Sequence, residues 1–138
     1  MKFTVEMEPV PKARSRLARN KACSTCPYGK VHSYTPDNTS NAEAFIRASL
    51  PRHHQFYPKG TALWLEVTFY LTRPRSCPKK RKLPCVRFDL DNAIKLVMDS
   101  LRGEGGCFTD DGQVTTLISR KRYSDSPRIE IEIMEDSE

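Results

Sequence analysis

The sequence of 138 residues lacks any apolar run near the roughly 18 residues that a membrane-spanning helix requires. Its first six residues also lack the basic segment and apolar stretch of a secretory signal. We therefore expect a cytoplasmic protein without a membrane partner. The length leaves little room for two domains of ordinary size, so we expect one domain over residues 1–138.

A closed disulfide framework is not indicated, because the 5 cysteines are odd in number and no export signal accompanies them. Cys23 and Cys26 stand in a Cys-x-x-Cys segment that resembles a zinc knuckle. Cys77 and Cys85 would complete a four-thiolate site if their two loops meet. A structural Zn²⁺ is one interpretation of these four cysteines, and free thiols are the other.

Acidic residues are scarce in the first part of the chain. Residues 1–88 contain 17 Lys and Arg against 5 Asp and Glu, a formal charge of +12, whereas residues 89–138 contain 6 against 12. The first part therefore predicts a surface that binds a polyanion such as nucleic acid, with a merely solubilising surface as the alternative. The basic residues that we expect to contact DNA are Lys12, Arg14, Arg16, Lys79, Lys80, Arg81, Lys82 and Arg87.

Alternation of apolar and polar residues predicts four strands, over residues 2–8, 62–71, 114–123 and 128–134. The second of these has the cleanest alternation and should be the central strand. The last two are separated only by residues 124–127, which favour a turn, so we expect them to form an antiparallel hairpin.

Two helices are predicted between these strands. Ser40 and Glu43 have the spacing of a capping box and indicate the start of the first, and Asp91 can cap the second. The basic, cysteine-containing segment at about residues 12–39 has no sustained period and is expected to be a long loop. The order β-α-β-α-β-β predicts an α/β fold, a single two-layer domain in which a mixed four-stranded sheet packs with two helices.

The carboxylates around the second helix are candidate ligands for a metal ion. Asp89 and Asp91 lie two residues apart where an extended segment enters the helix, so both can project from the same side. Asp110 and Asp111 lie where the chain turns back toward the sheet, so a third carboxylate can join the first two. Oxygen ligands without His or Cys suit Mg²⁺, which neutralises charge on a phosphate and activates water. The pattern therefore indicates phosphodiester cleavage.

Local structural roles compete with this interpretation. Lys95 is one helical turn after Asp91, where it either offsets charge on a phosphate or forms a helix-surface ion pair. Asp91 as a helix cap and Asp110 to Gly112 as a turn would explain the same residues without chemistry. The spacing alone leaves both interpretations open.

In their order and spacing these residues resemble the RusA-type Holliday-junction resolvases. The resemblance runs through Asp89-Leu90-Asp91-Asn92, Lys95, Asp99, Leu101, Phe108, Asp110-Asp111 and Gln113-Val114. The segments 9–14 and 34–36 resemble the basic start of phage-borne members. Phe88 stands where some members have Arg, and neither residues 20–33 nor the loop from Cys77 to Cys85 has a counterpart.

The resemblance implies a RusA-like fold and a bacterial or phage-encoded homodimer that makes paired nicks in four-way DNA junctions. It implies that Asp89, Asp91 and Asp111 bind Mg²⁺, or Mn²⁺ in its place, that Lys95 is catalytic with them, and that Asp110 supports the site. A two-fold dimer suits a junction that needs two symmetric cuts.

Two rival functions remain. The first is a non-catalytic DNA-binding module, with or without a stabilising zinc ion, in which the carboxylates only cap helices and turns. The second is a sugar-nucleotide transferase that holds a metal-diphosphate with Asp-x-Asp, although 138 residues leave little room for its nucleotide domain.

Overall fold

A computed structural model describes residues 1–19 and 29–137. Within these residues the chain forms, in order, β1 (Lys2–Val5), β2 (Arg16–Arg19), β3 (Val31–Tyr34), α1 (Asp37–Ala48), β4 (Leu63–Leu71), α2 (Leu90–Leu101), β5 (Val114–Tyr123) and β6 (Arg128–Glu135). A single 3₁₀ turn, Asp111–Gln113, precedes β5. No helix of this described part is long and apolar enough to cross a membrane.

The main sheet has the strand order β1-β6-β4-β5. β4 is central, parallel to β5 and antiparallel to β6, so the sheet is mixed. Alternate residues of β4, from Leu63 to Leu71, are buried at 0–5% exposure, whereas Trp64 and its same-face neighbours Glu66 and Tyr70 are half-buried. One face of the sheet is thus covered by the core that α1 and α2 complete. The predicted two-layer α/β fold with a mixed four-stranded sheet and two helices is confirmed.

The predicted hairpin between the last two strands is wrong, because β4 lies between β5 and β6. The segment 124–127 crosses the end of β4, where the Ser124 N–H donates to the Leu71 carbonyl at 2.9 Å. This arrangement pairs β6 on both edges, with β1 and β4, and buries Ile129, Ile131 and Ile133 completely.

The segment 12–39 is not wholly irregular, contrary to the prediction. β2 and β3 pair as an antiparallel ribbon, a second sheet separate from the main one, and α1 begins before the segment ends. Most ribbon side chains are exposed on both faces. Without one buried face, the ribbon residues have no period-2 hydrophobic pattern to detect.

Both predicted helix starts are displaced. α1 begins at Asp37, because the carbonyl of Pro36 accepts from the N–H groups of Thr39 and Ser40, so the capping box at Ser40 is not used. α2 begins at Leu90 with Asp89, not Asp91, in the N-cap position. After α2, a Cβ on Gly106 would lie 2.1 Å from the Leu101 carbonyl oxygen, so only glycine permits this tight return of the chain.

Candidate active site

The N-terminal end of α2 presents two carboxylates that helix capping does not use. Asp89 holds the N-cap position, but its side chain makes no capping hydrogen bond to the backbone. It accepts instead from the Asn92 amide at 3.2 Å. Asp91 lies in the first turn, and both aspartates are exposed. The capping alternative is therefore wrong for Asp91, and both carboxylates can reach a ligand.

A cationic cleft of about 330 Å³ adjoins this end of the helix. Its lining comes from the N-terminal basic segment, Lys12 to Ser15, and from Asn92 and Lys95 of α2. The Lys12 N–H donates to the Asn92 carbonyl at 3.2 Å, which fixes the basic segment to the helix. Arg14 and Lys95 make the cleft suited to an anion such as a phosphate, whereas the Lys12 ammonium is already paired with Asp99 and Glu43.

The second basic segment is held on β5 and leads into Asp89. Arg73 stacks on the Tyr123 ring at 4.5 Å and donates to the Arg81 carbonyl at 2.8 Å. Lys121 donates to the Phe88 carbonyl at 3.0 Å. Between these anchors the basic residues point into solvent, namely Lys79, Lys80, Arg81, Lys82 and Arg87.

Asp110 and Asp111 are neighbours with different roles. Asp110 accepts from the Gly112 N–H at 2.8 Å and forms a reciprocal capping box with Gln113, so it maintains the turn. Asp111 has one oxygen, Oδ2, 3.5 Å from the Arg102 guanidinium. Its other oxygen, Oδ1, is buried without a hydrogen-bond partner. An unpartnered buried carboxylate oxygen is costly, which suggests that a ligand completes it.

The C-terminal half of α2 carries a charge network that sequence reasoning did not identify. Asp99 contacts the Lys12 ammonium through Oδ2 and the Arg102 guanidinium, at 3.5 Å, through Oδ1. Glu43 of α1 is 3.4 Å from the same ammonium. Partial burial opposes the charge on Lys12, but the hydrogen bond and charge of Asp99 and the charge of Glu43 outweigh it and raise the Lys12 pKa. The spacing of Asp91, Lys95, Asp99 and Arg102, four, four and three residues, is the signal that places them on one helix face.

Asp89 and Asp91 both lie at the N-terminal end of α2, whereas Asp111 lies in the 3₁₀ turn that precedes β5. In the described residues, no three His, Cys, Asp or Glu side chains are grouped closely enough to hold a metal ion. Asp111 contacts the side chain of Arg102, the residue that directly follows the C-terminal end of α2. Mg²⁺ is commonly held by one or two carboxylates, waters and substrate phosphate, so the Asp89–Asp91 pair fits such an ion.

The cysteines show no assembled metal site in the described part of the chain. Cys23 and Cys26 lie outside the described residues. Cys77 contacts the Tyr123 hydroxyl at 3.6 Å and Arg73 at 3.5 Å, and Cys85 is exposed. The zinc interpretation of the four cysteines stays a prediction.

Comparisons with known proteins identify the family. The family described as "Endodeoxyribonuclease RusA" matches residues 6–134. The chain is 30% identical to the uncharacterized protein YqaN of Bacillus subtilis (strain 168), over 98% of this chain and 96% of that protein. It is 27% identical to the crossover junction endodeoxyribonuclease rusA of Lactococcus phage r1t, over 96% of each. The chain belongs to the RusA family of endodeoxyribonucleases.

Proposed function

We propose that this chain resolves four-way DNA junctions by Mg²⁺-dependent hydrolysis of phosphodiester bonds, with Mn²⁺ as an alternative ion. The observation that carries the proposal is the N-terminal end of α2. There, two exposed carboxylates without a capping role are flanked by two anchored basic segments. The crossover-junction name of the phage relative supports branched DNA as the substrate.

The flanking basic segments would hold the DNA backbone on either side of the carboxylates. Carboxylates alone repel a phosphate, so cations must surround them for the strand to approach. Lys12 and Arg14 line the cleft on one side, and the exposed run from Lys79 to Lys82 lies on the other. This alternation of charge favours DNA with its scissile phosphate above Asp89 and Asp91.

Asp89 and Asp91 would hold the divalent ion, and Asp111 would be the third ligand. The bound ion supplies neutralisation of phosphate charge and a lowered pKa of the attacking water. The unpartnered Oδ1 of Asp111 fits a role toward a cation, and Arg102 keeps Oδ2 oriented. No three carboxylates are grouped among the described residues, so a site that includes Asp111 as a ligand requires a rearrangement.

Lys95 is proposed to contact the scissile phosphate directly. It is exposed, lines the cationic cleft and lies one helical turn from Asp91. In the described residues its ammonium forms no ion pair within 4.0 Å, in contrast to that of Lys12. A free ammonium at this position can offset the charge that develops on the phosphate.

A homodimer accounts for paired symmetric nicks. One chain offers one pair of carboxylates at α2, whereas a junction needs two cuts in opposed strands. A two-fold axis through the junction would place a second copy of the same site on the second strand.

The decisive experiment compares a synthetic four-way junction with a linear duplex of the same sequence in Mg²⁺. Wild type should cut the junction at paired positions, and Asp91→Asn should lose about 100-fold or more in rate, since a metal ligand supplies several kcal/mol in the transition state. Asp125→Asn, an exposed turn residue, is the charge-matched control. Equal rates for wild type and Asp91→Asn would refute the carboxylate assignment, and equal cutting of both DNAs would reduce the proposal to a general nuclease.

The rival function is the non-catalytic DNA-binding module, in which Asp89 and Asp91 bind no divalent ion. It predicts junction binding without nicking in Mg²⁺ or Mn²⁺, and binding that is lost when zinc is chelated. The same cleavage assay therefore separates the two functions.

A further inference from the structure

The ribbon formed by β2 and β3 is anchored beside the proposed active site. The Ala13 N–H donates to the Thr39 hydroxyl of α1 at 3.1 Å, and the Lys12 N–H donates to the Asn92 carbonyl of α2 at 3.2 Å. The chain then leaves the cationic cleft at Ser15 and enters β2 at Arg16. The base of the ribbon is therefore fixed between the two helices, next to Lys95.

The body of the ribbon has no protein surface to cover it in the described structure. Leu17 is 76% exposed and Val31 is 55% exposed, and they lie diagonally on the same face. On the other face, Arg16 and Tyr34 form a cross-strand pair and are also exposed. An isolated two-stranded ribbon is at best marginally stable in water, so this one is expected to gain stability from a partner.

The charge of the ribbon identifies the chemistry of that partner. Residues 12–36 contain 6 Lys and Arg and no Asp or Glu. In the described part of the chain, no carboxylate lies within ion-pairing distance of Arg14, Arg16, Arg19 or Lys30. Since these cations have no acidic neighbour, the complementary partner is a polyanion, and a nuclease has DNA beside it.

The distribution of cations over both strands suits a groove. β2 carries Arg16 and Arg19, and Lys30 directly precedes β3 on the opposite strand. A DNA groove is bordered by a phosphate backbone on each side, and the major groove, about 12 Å wide, admits a two-stranded ribbon. Exposed apolar residues such as Leu17 and Val31 can there contact base edges, the thymine methyl group included.

We propose that the β2–β3 ribbon inserts into the major groove of the duplex arm next to the phosphate held at α2. This inference rests on the proposed function. It adds which part of the protein contacts the duplex, which groove it enters and which arm of the junction it binds. The ribbon would orient the arm relative to Asp89 and Asp91, whereas these carboxylates would act on the strand.

The test compares two double variants that remove the same charge. Arg16→Gln with Arg19→Gln changes the ribbon. Lys2→Gln with Arg52→Gln is the control, because Lys2 lies on the open sheet face and Arg52 lies beyond the end of α1 remote from Thr39. Affinity for a four-way junction and for a linear duplex is measured across a salt series without added divalent ion, together with sedimentation of the free protein.

The ribbon variant should bind both DNAs more weakly than wild type. The plot of log K against log[salt], which has a negative slope, should become less steep by about 1 for each lost phosphate contact, roughly 2 in all. The control should retain the wild-type slope. An unchanged slope for the ribbon variant overturns the proposal. A changed oligomeric state with unchanged DNA affinity also overturns it, because the ribbon would then contact a second chain.

A second measurement reports on the groove itself. Methylation of guanine N7 by dimethyl sulfate probes the major groove, and wild type should protect guanines on the arm beside the cut. Replacing residues 17–33 by Asn-Gly joins Arg16 to its partner Tyr34 through a two-residue hairpin turn and should abolish that protection. Persistent protection contradicts groove insertion. If wild type binds and protects DNA but never cuts it, the proposed function fails while the ribbon assignment stands.

Discussion

The two ends of α2 use the same types of charged residue in opposite ways. At the N-terminal end Asp89 and Asp91 are exposed and make no capping bond. At the other end Asp99 is only 13% exposed and joins Lys12 and Arg102. Charges satisfied within the protein maintain structure, whereas exposed charges without such partners are free to bind a ligand. The comparison therefore separates residues expected to affect catalysis from residues expected to affect stability.

The largest expected effect is on catalysis at the N-terminal end. Asp89→Asn should lower the single-turnover cleavage rate of a four-way junction by about 100-fold or more, because a proposed metal ligand is lost. Its free energy of unfolding should change by no more than about 0.5 kcal/mol, since the side chain is exposed and caps nothing. Cleavage and thermal unfolding are measured together. If Asp89→Asn also lowered the free energy of unfolding substantially, the N-terminal end of α2 would have a structural role like that of the C-terminal end.

Asp99→Asn should affect stability instead. It leaves Lys12 and Arg102 without their shared carboxylate in a mostly buried position, so we expect a loss of about 1–3 kcal/mol in urea unfolding. Glu104→Gln, which removes an exposed carboxylate just after the helix, is the control. An Asp99→Asn protein of normal stability would show that the network is not structural.

The stabilisation from Lys12 should also have a defined pH range. Its pKa is raised above the ordinary value of 10.5 because Asp99 and Glu43 favour the charged ammonium over the opposing effect of burial. A raised pKa gives stabilisation that is fully present below 10.5 and is lost as pH rises through the higher folded value. The stability difference between wild type and Lys12→Met should thus be constant from neutral pH to about 10 and should narrow above 10.5. Urea unfolding measures this stability difference at each pH. A difference that already decreases below pH 9 would contradict the raised pKa of Lys12.

Arg102→Met tests whether the C-terminal end also serves the metal. Arg102 is 46% exposed, so losing its ion pairs should cost at most about 1 kcal/mol. If Asp111 is a ligand, Mg²⁺ should raise the melting temperature of Arg102→Met more than that of wild type, because the ion replaces the lost guanidinium. An identical response to Mg²⁺ in the two proteins would count against Asp111 as a ligand.

The smallest expected effect is a difference in reactivity between two thiols, Cys85 and Cys107, which lie near opposite ends of α2. Cys107, whose N–H donates to the last-turn carbonyl of Leu101 at 2.8 Å, is buried, and burial raises its pKa to about 12. Cys85 is exposed in the loop that leads to Asp89. Iodoacetamide at pH 8 should modify Cys85 and spare Cys107, as read by peptide mass spectrometry. Modification of Cys107 at a similar rate would mean that the C-terminal end of α2 opens readily.

The elements with a periodic pattern were predictable, and those determined by long-range pairing were not. The alternation from Leu63 to Leu71 predicts a central strand because it has one buried face. No local sequence signal predicts that β4 lies between β5 and β6, because strands that are consecutive in sequence usually pair. The helix starts were displaced because Pro36 and Asp89, rather than Ser40 and Asp91, take the N-cap positions.

The candidate site was predictable to a similar degree. The spacing of Asp89 and Asp91 predicts two carboxylates on one side of a helix entrance, and the structure has them exposed there. The turn role of Asp110 follows from its position before Gly112. The position of Asp111 beside Arg102 depends on the path of residues 102–110, which no periodic pattern describes. Its role as a metal ligand stays a prediction.

The double pairing of β6 has a consequence for biosynthesis. β1 pairs with β6, and the Met1 ammonium donates to the Ile133 carbonyl at 2.6 Å. The first residues therefore cannot join the sheet until residues 128–135 have been synthesised. Contacts of such high sequence separation form late and fold slowly. A nascent chain arrested before residue 128 would therefore carry the basic segments and the carboxylates without the sheet that arranges them. Synthesis of β6 is thus expected to precede assembly of the candidate site.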